Sequence, residues 1–295
     1  DNIMSITAAE VKALRTQTGA GMMDCKRALQ ESEGNMEKAV EILRLKGQKV
    51  AAKRSDRDAS EGVILSGVST DGKTGVVMSL NCETDFVAQN ADFISVAQTL
   101  INMAIADGCE SKDDLLSKNY PGSDMSVSEM IINETGKIGE RIEIGAFHIS
   151  KGETVAAYIH PGNRLATVVG FSGDVESGVG RDVAMQAAAM APVAVDQSQI
   201  PADLIAKETQ IGRDLAIQEG KPAELADKIA IGRLNKWYKE VTLVNQPFIK
   251  DNKQTVTQYV APACPRAKVE STSPIALRSV SDTHITLPTL LPLYI

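Results

Sequence analysis

One segment of the chain could hold a nucleotide phosphate. Gly67-Val-Ser-Thr-Asp-Gly72-Lys73-Thr74 fits the pattern G-x-x-x-x-G-K-[ST] letter for letter. Such a loop works when a strand enters it and a helix leaves, so that helix N-terminal amides meet the phosphates. Here the exit is Gly75-Val-Val-Met-Ser-Leu, which is β-prone, and Asp71-Gly72 between apolar runs is a hairpin turn signal. A β-hairpin is the expectation, and a nucleotide-hydrolysing enzyme built on residues 67–74 is the weaker rival. Thiol chemistry fares no better. Cys82 stands beside Glu83, a carboxylate raises a thiol's pKa, and nothing local pairs His148 or His160 with it as a base. Cys25, Cys82, Cys109 and Cys264 are scattered, with no Cys-x-x-Cys, so neither a disulfide framework nor a zinc site is expected. The expectation is no catalytic residue, no metal ligand, no cofactor and no enzymatic bond chemistry.

Two other segments are harder to set aside. In Leu14-Arg15-Thr-Gln-Thr-Gly19-Ala-Gly21-Met22-Met23-Asp-Cys-Lys26-Arg-Ala-Leu29, a tight glycine loop presents two methionines. These either grip an apolar groove on a partner or fill the core of a helical bundle. In Asn81-Cys-Glu-Thr84-Asp85-Phe86-Val87-Ala88, a β run ends at a corner before a helix. Its phenylalanine either enters the core or protrudes as a wedge beside a carboxylate.

The elements that must position these residues follow from periodicity. Thr7 and Glu10 make a capping box for a first helix carrying Val11 and Leu14. A second helix runs through Cys25, Ala28 and Leu29, and Asn35 caps a third carrying Ala39, Val40, Ile42 and Leu43. These three helices form a module over residues 1–55, with 49–60 as a charged tether. From Glu61 the period turns strand-like. Two strands around Asp71-Gly72 and an amphipathic helix over 92–106 make a first core unit, 56–142. Strands over 143–149, 153–160 and 165–171, with a helix over 182–191, make a second, 143–195, completed by 239–260. Two related α+β halves are expected. Within the second half, residues 196–238 form an inserted antiparallel helical hairpin, with Pro222 suited to a first helical turn. Five of the 11 prolines fall after Ala261, and residues 261–295 are expected to be a poorly ordered tail.

Composition narrows the partners. The net charge of −7 argues against a phosphate backbone as the main partner, since basic residues cluster only over 46–57. No apolar run approaches the ~20 residues of a membrane-spanning helix, and no basic patch precedes an apolar stretch at the start, so no secretion signal is expected. A protein partner in the cytoplasm is the expectation.

The two hard segments together resemble the signature sequences of the elongation factor Ts family. The first fits L-R-x-x-T-G-x-G-M-x-D-x-K-x-A-L throughout. The second keeps N-C-E-T-D-F-V-A, departing at Ser79 and Gln89. The resemblance runs on through the helical arm to Gln246-Pro-Phe-Ile-Lys and Tyr259. It implies a UBA-like N-terminal module and an exchange factor for elongation factor Tu, bound in its GDP-loaded and nucleotide-free states. Thr84, Asp85, Phe86 and Val87 would then enter the partner's GTPase domain beside its nucleotide and Mg²⁺, with His160 touching the same region. Arg15, Met22, Met23 and Lys26 would touch that domain from the N-terminal module. Ile249 and Lys250 fall where the family carries two apolar contacts, and Lys250 departs from them. The arm is a candidate for pairing two copies. From Val269 on, the family's closing Phe-containing strand and acidic helix are not recognisable. A plain adaptor without exchange activity is the remaining rival.

Overall fold

The computed structural model describes residues 6–277. Three helices open it: α1 (Ala8–Thr18), α2 (Met22–Glu31) and α3 (Met36–Arg54). The capping box forms, with the Thr7 amide donating to Glu10 Oε2 at 2.7 Å and the Glu10 amide to Thr7 Oγ1 at 3.2 Å. Gly19 ends α1 in the left-handed region at φ 68°, a conformation open to glycine at little steric cost. Leu14, Cys25, Ala28, Leu29 and Ala39 close a small core between the three helices. The expected tether is shorter than 49–60, because α3 stays helical to Arg54. Ala51, Ala52, Lys53 and Arg54 are good helix formers, and the preceding turn has something to pack on.

That something is α7, within the following run. Strands β1 (Glu61–Val68) and β2 (Thr74–Cys82) lead into α4 (Asp85–Ala88), α5 (Ala91–Ala106), α6 (Lys112–Ser117) and α7 (Val127–Ile138). Where α3 crosses α7, Gly47 meets Gly136 so closely that a Cβ on Gly136 would stand 2.3 Å from the Gly47 Cα. The backbones themselves touch, and Arg44 pairs with Glu129 beside the crossing.

Residues 67–74 are the end of one strand, a hairpin turn over 69–73 and the start of the next strand, as the flanking residues predict. β1 and β2 pair antiparallel, Gly72 takes φ 70°, and Asp71 Oδ1 accepts from Ser69 Oγ at 2.6 Å and from the Lys73 amide at 3.1 Å. The chain leaves as a strand, so no helix N-terminus faces the loop.

The second half follows as β3 (Glu143–Lys151), β4 (Thr154–Ile159), β5 (Leu165–Phe171) and α8 (Ser177–Met190). The arm is α9 (Ala202–Gln218) and α10 (Ala223–Val241). Then come β6 (Pro247–Phe248), β7 (Asp251–Thr255), α11 (Val256–Ala263) and β8 (Val269–Ala276). The fold is α+β, but the division at residue 143 needs correction. β3 pairs with β2, giving one sheet ordered β1-β2-β3, while β4, β5 and β8 make another. Alternate burial places Ile144 in the first core, and the chain changes sheets at Gly152, where a Cβ would lie 2.6 Å from the Phe171 carbonyl oxygen. The tail expectation fails likewise for 269–276. β8 pairs along β5 from Leu165↔Ala276 to Phe171↔Val269, and as an edge strand it tolerates Pro274, which lacks an N–H. The expectation for residues 278–295 lies outside the described residues.

The two sheets stack through Ile64, Val77, Val155, Ala166, Val168 and Ile275. Helices α5 and α7 cover the outer face of the first, with Phe93, Leu100, Ile101 and Met130 buried there. Helices α8 and α11 cover the second, with Val183, Ala187, Val256 and Val260. The arm helices hold each other through Gly212 against Ala230 and the pairs Arg213–Asp227 and Arg233–Glu219.

Two glycine substitutions should behave oppositely. Gly136→Ala forces α3 off α7 and is expected to cost roughly 1–3 kcal/mol despite its better helix propensity. Gly232→Ala, in α10 with nothing within 4 Å of a new Cβ, is expected to be neutral or to stabilise by up to about 1 kcal/mol. Urea denaturation of both variants checks the pair.

Candidate functional site

The corner after β2 is built from the strand end outward. Cys82 is buried and its thiol donates to the Thr84 carbonyl oxygen at 3.1 Å. Burial first, and the Glu140 charge second, push that thiol up to about 12, so it is no nucleophile at neutral pH. Thr84 caps α4, its Oγ1 accepting from the Val87 amide at 3.4 Å. Ala88 is buried and anchors the far end of this single turn. Between these anchors Asp85 is exposed, Val87 is half-buried, and Phe86 is 84% exposed. Of the two readings of this phenylalanine, the protruding one holds.

What fixes so short a turn lies elsewhere in the sequence. Helix α7 ends at Gly139 in the left-handed region, φ 82°, which turns Glu140 back over the corner. Glu140 Oε2 accepts from the Glu83 and Thr84 amides at 3.1 and 3.0 Å, and Oε1 accepts from Thr84 Oγ1 at 2.7 Å. The exchange is mutual, because the Arg141 amide donates to Glu83 Oε1 at 2.6 Å. Arg54, the last residue of α3, donates from Nη1 to both Glu83 oxygens at 2.8 Å. Burial alone would raise the Glu83 carboxyl, but the Arg141 amide and the Arg54 guanidinium outweigh it and hold the group below its usual value. Neither Glu140 nor Arg54 is a site residue that sequence reasoning finds.

His160 is brought to the same end of the sandwich. It is exposed in the turn between β4 and β5, with Nδ1 3.0 Å from the Tyr158 hydroxyl. That turn is tied to the start of β1 by the Ile64 amide donating to the Asn163 carbonyl at 2.6 Å and by Arg164 paired with Glu61. Glu61 stands opposite Cys82 in the ladder, so His160 and Phe86 flank one sheet end.

On the N-terminal module, Met22 and Met23 are 59% and 62% exposed at the start of α2, so they do not fill the bundle core. Arg15 and Lys26 are exposed as well. Asp24, between them in sequence, is held below the usual carboxylate range chiefly by its hydrogen bond to Lys46. Ile249 and Lys250 form a separate patch in the turn between β6 and β7. The Ile249 amide donates to the buried Gln186 Oε1 at 2.8 Å, and Lys250 Nζ pairs with Asp182 at 2.5 Å. Lys250 is therefore engaged within the chain. Among the described residues no group of three or more His, Cys, Asp or Glu could hold a metal ion, and no helix is long and apolar enough to cross a membrane.

Comparison with known proteins finds matching sequences over most of the chain. The family described as Elongation factor TS matches residues 83–275. Elongation factor Ts of Christiangramia forsetii is 50% identical over 257 residues, covering 86% of this chain and 92% of its own length. That of Porphyromonas gingivalis is 48% identical over 258 residues, covering 87% and 93%. That of Flavobacterium psychrophilum is 46% identical over 258 residues, with the same coverage of 87% and 93%.

The depressed Glu83 carboxyl makes a pH prediction. A carboxyl lowered on folding stabilises the fold above its unfolded value near 4.5, and that contribution is lost as pH falls through the lower folded value. Glu83→Gln should be less stable than the unaltered chain at pH ~7, with the difference shrinking as pH drops below ~4. Denaturation midpoints across that range test it; a difference independent of pH would contradict the assignment.

Proposed function

The chain belongs to the elongation factor Ts family, translation elongation factors of protein biosynthesis, and from that premise we propose that it is a guanine nucleotide exchange factor. Its partner is elongation factor Tu, met in the GDP-loaded state and held in the nucleotide-free state. Asp85 and Phe86 enter beside the partner's nucleotide and Mg²⁺, Thr84 and Val87 shape the entering turn, and His160 contacts the same region. Arg15, Met22, Met23 and Lys26 grip the GTPase domain from the N-terminal module. Ile249 makes a further contact, while Lys250, paired with Asp182, adds little to it. The observation that carries the reading is the 84% exposure of Phe86 beside an exposed Asp85.

The mechanism is linkage. A protein that binds the empty GTPase more tightly than the loaded one must weaken nucleotide binding by the same factor. Three decades of weakening require about 4 kcal/mol of differential binding. Burying one phenylalanine ring supplies ~1.5–3 kcal/mol, so Phe86 cannot act alone. The flexible thioethers of Met22 and Met23 can adapt to an apolar groove and add to it. Asp85 brings a negative charge that competes with the GDP phosphates for the Mg²⁺ surroundings. This chain makes and breaks no covalent bond; the partner's nucleotide simply leaves faster. The net charge of −7 fits a protein partner and no direct nucleic-acid contact. Such work belongs in the cytoplasm, where translation runs. The exposed Ile211, Leu215, Leu225 and Ile231 of the arm give two copies a surface through which to pair.

Phe86→Ala should slow partner GDP release by roughly 10- to 100-fold, the equivalent of one buried ring, while the chain stays folded because that ring contributes nothing to its own core. Stopped-flow release of a fluorescent GDP analogue, alongside a melting curve, tests both halves. Unchanged release would remove the wedge.

A further inference from the structure

An apolar ring in water gains nothing from staying in one place. Phe86 is 84% exposed, so its own burial cannot orient it. Helix α4 has four residues, and so short a helix has no stability of its own. Its cap is weak, at 3.4 Å from Thr84 Oγ1 to the Val87 amide. The direction in which the ring points must therefore be set by bonds reaching the corner from outside.

Those bonds come from Glu140. We propose that Glu140 is a positioning residue: its carboxylate fixes the turn that aims Asp85 and Phe86 and touches no partner itself. The inference rests on the exchange reading above and extends it to a residue no signature sequence contains. Three donors converge on the one carboxylate, the amides of Glu83 and Thr84 and the Thr84 hydroxyl, at 3.1, 3.0 and 2.7 Å. Successive amides pointing at one anion fix two consecutive peptide planes. The Thr84 hydroxyl donates its proton to Glu140 while a lone pair on the same oxygen accepts from the Val87 amide, so the same carboxylate also sets the cap. Charge-assisted hydrogen bonds of this kind are stronger than neutral ones.

The clasp is reciprocal and has a third member. The Arg141 amide donates to Glu83 at 2.6 Å, so neither strand end nor helix end shifts without the other. Arg54 reaches Glu83 from the end of α3, and α3 is the helix that packs, backbone on backbone, against α7. The exposed methionines and the exposed ring are thus referred to the same α7 end. A partner meeting both surfaces meets them at a fixed separation, and the ordering cost of binding is lower for it.

The test separates positioning from contact and from folding. Glu140→Gln keeps the side chain's size and one acceptor oxygen but removes the charge and turns an NH₂ toward the corner. With saturating amounts of the variant, GDP release from elongation factor Tu should fall on the order of tenfold. The half-saturating concentration should move by less than about twofold, since no partner contact is lost. Added to Asp85→Ala/Phe86→Ala, Glu140→Gln should cause no further fall, because it acts through those residues. A saturating rate like that of the unaltered chain overturns the proposal, and so does an additive fall in the triple variant. Loss of the cooperative melting transition in Glu140→Gln also overturns it, since the clasp would then hold the fold and not the turn. The exchange reading is judged separately: Asp85→Ala/Phe86→Ala alone must slow release, whatever Glu140→Gln does.

Discussion

A folded chain that keeps a phenylalanine in water must hold its backbone by means other than the hydrophobic effect. At the corner after β2 those means are polar. Two carboxylates, Glu83 and Glu140, trade backbone amides across the gap between a strand end and a helix end. The flanking Cys82 and Ala88 are buried and supply the apolar footing on either side. Removing a water-exposed ring costs the fold little; removing the carboxylate beneath it strands two amides in a half-buried place. The ring offered to a partner and the carboxylate that holds its turn are therefore different residues, which lets contact and positioning be separated by substitution.

The same division recurs on a larger scale. The stacked sheets put their apolar faces together and their outer faces under helices, so the middle of the molecule is buried apolar packing and the corner and turns beyond it carry Phe86 and His160 exposed. The His160 turn and the Phe86 corner share one end because Arg164 pairs with Glu61, which stands opposite Cys82 at the end of β2. The N-terminal module is held to this block where Gly47 meets Gly136 backbone on backbone, by Arg44 on Glu129 beside that crossing, and by Arg54 on Glu83. Contacts between backbones leave less rotational slack than contacts between flexible side chains. The three exposed features, Met22 with Met23, Phe86 and His160, are carried on one frame.

Much of this was legible in the residues. The strand over 165–171 matched throughout, the Thr7–Glu10 box marked the first helix, and Asp71-Gly72 outweighed a complete phosphate-loop pattern because a turn and a strand follow it. Other features were hidden for physical reasons. A period of two tells which face of β3 is buried but not which strand lies beside it, so its place next to β2 could not be read. The Ser, Thr and Pro residues of β8 look like tail composition, yet an edge strand needs few apolar side chains and can spare an N–H. Helix α7 does carry a local mark in the sequence, the Ser126–Glu129 capping box. The turn 84–87 stood out through its family signature, whereas Glu140 is 56 positions from Thr84 and carries no local mark.

The central claim is that this chain favours the vacant state of a guanine nucleotide-binding partner. The most direct measurement is the rate at which elongation factor Tu releases a fluorescent GDP analogue as this chain is titrated in. The account predicts a release rate that rises with concentration to a plateau about three decades above the spontaneous rate. Binding of the chain with no change in the release rate would contradict it.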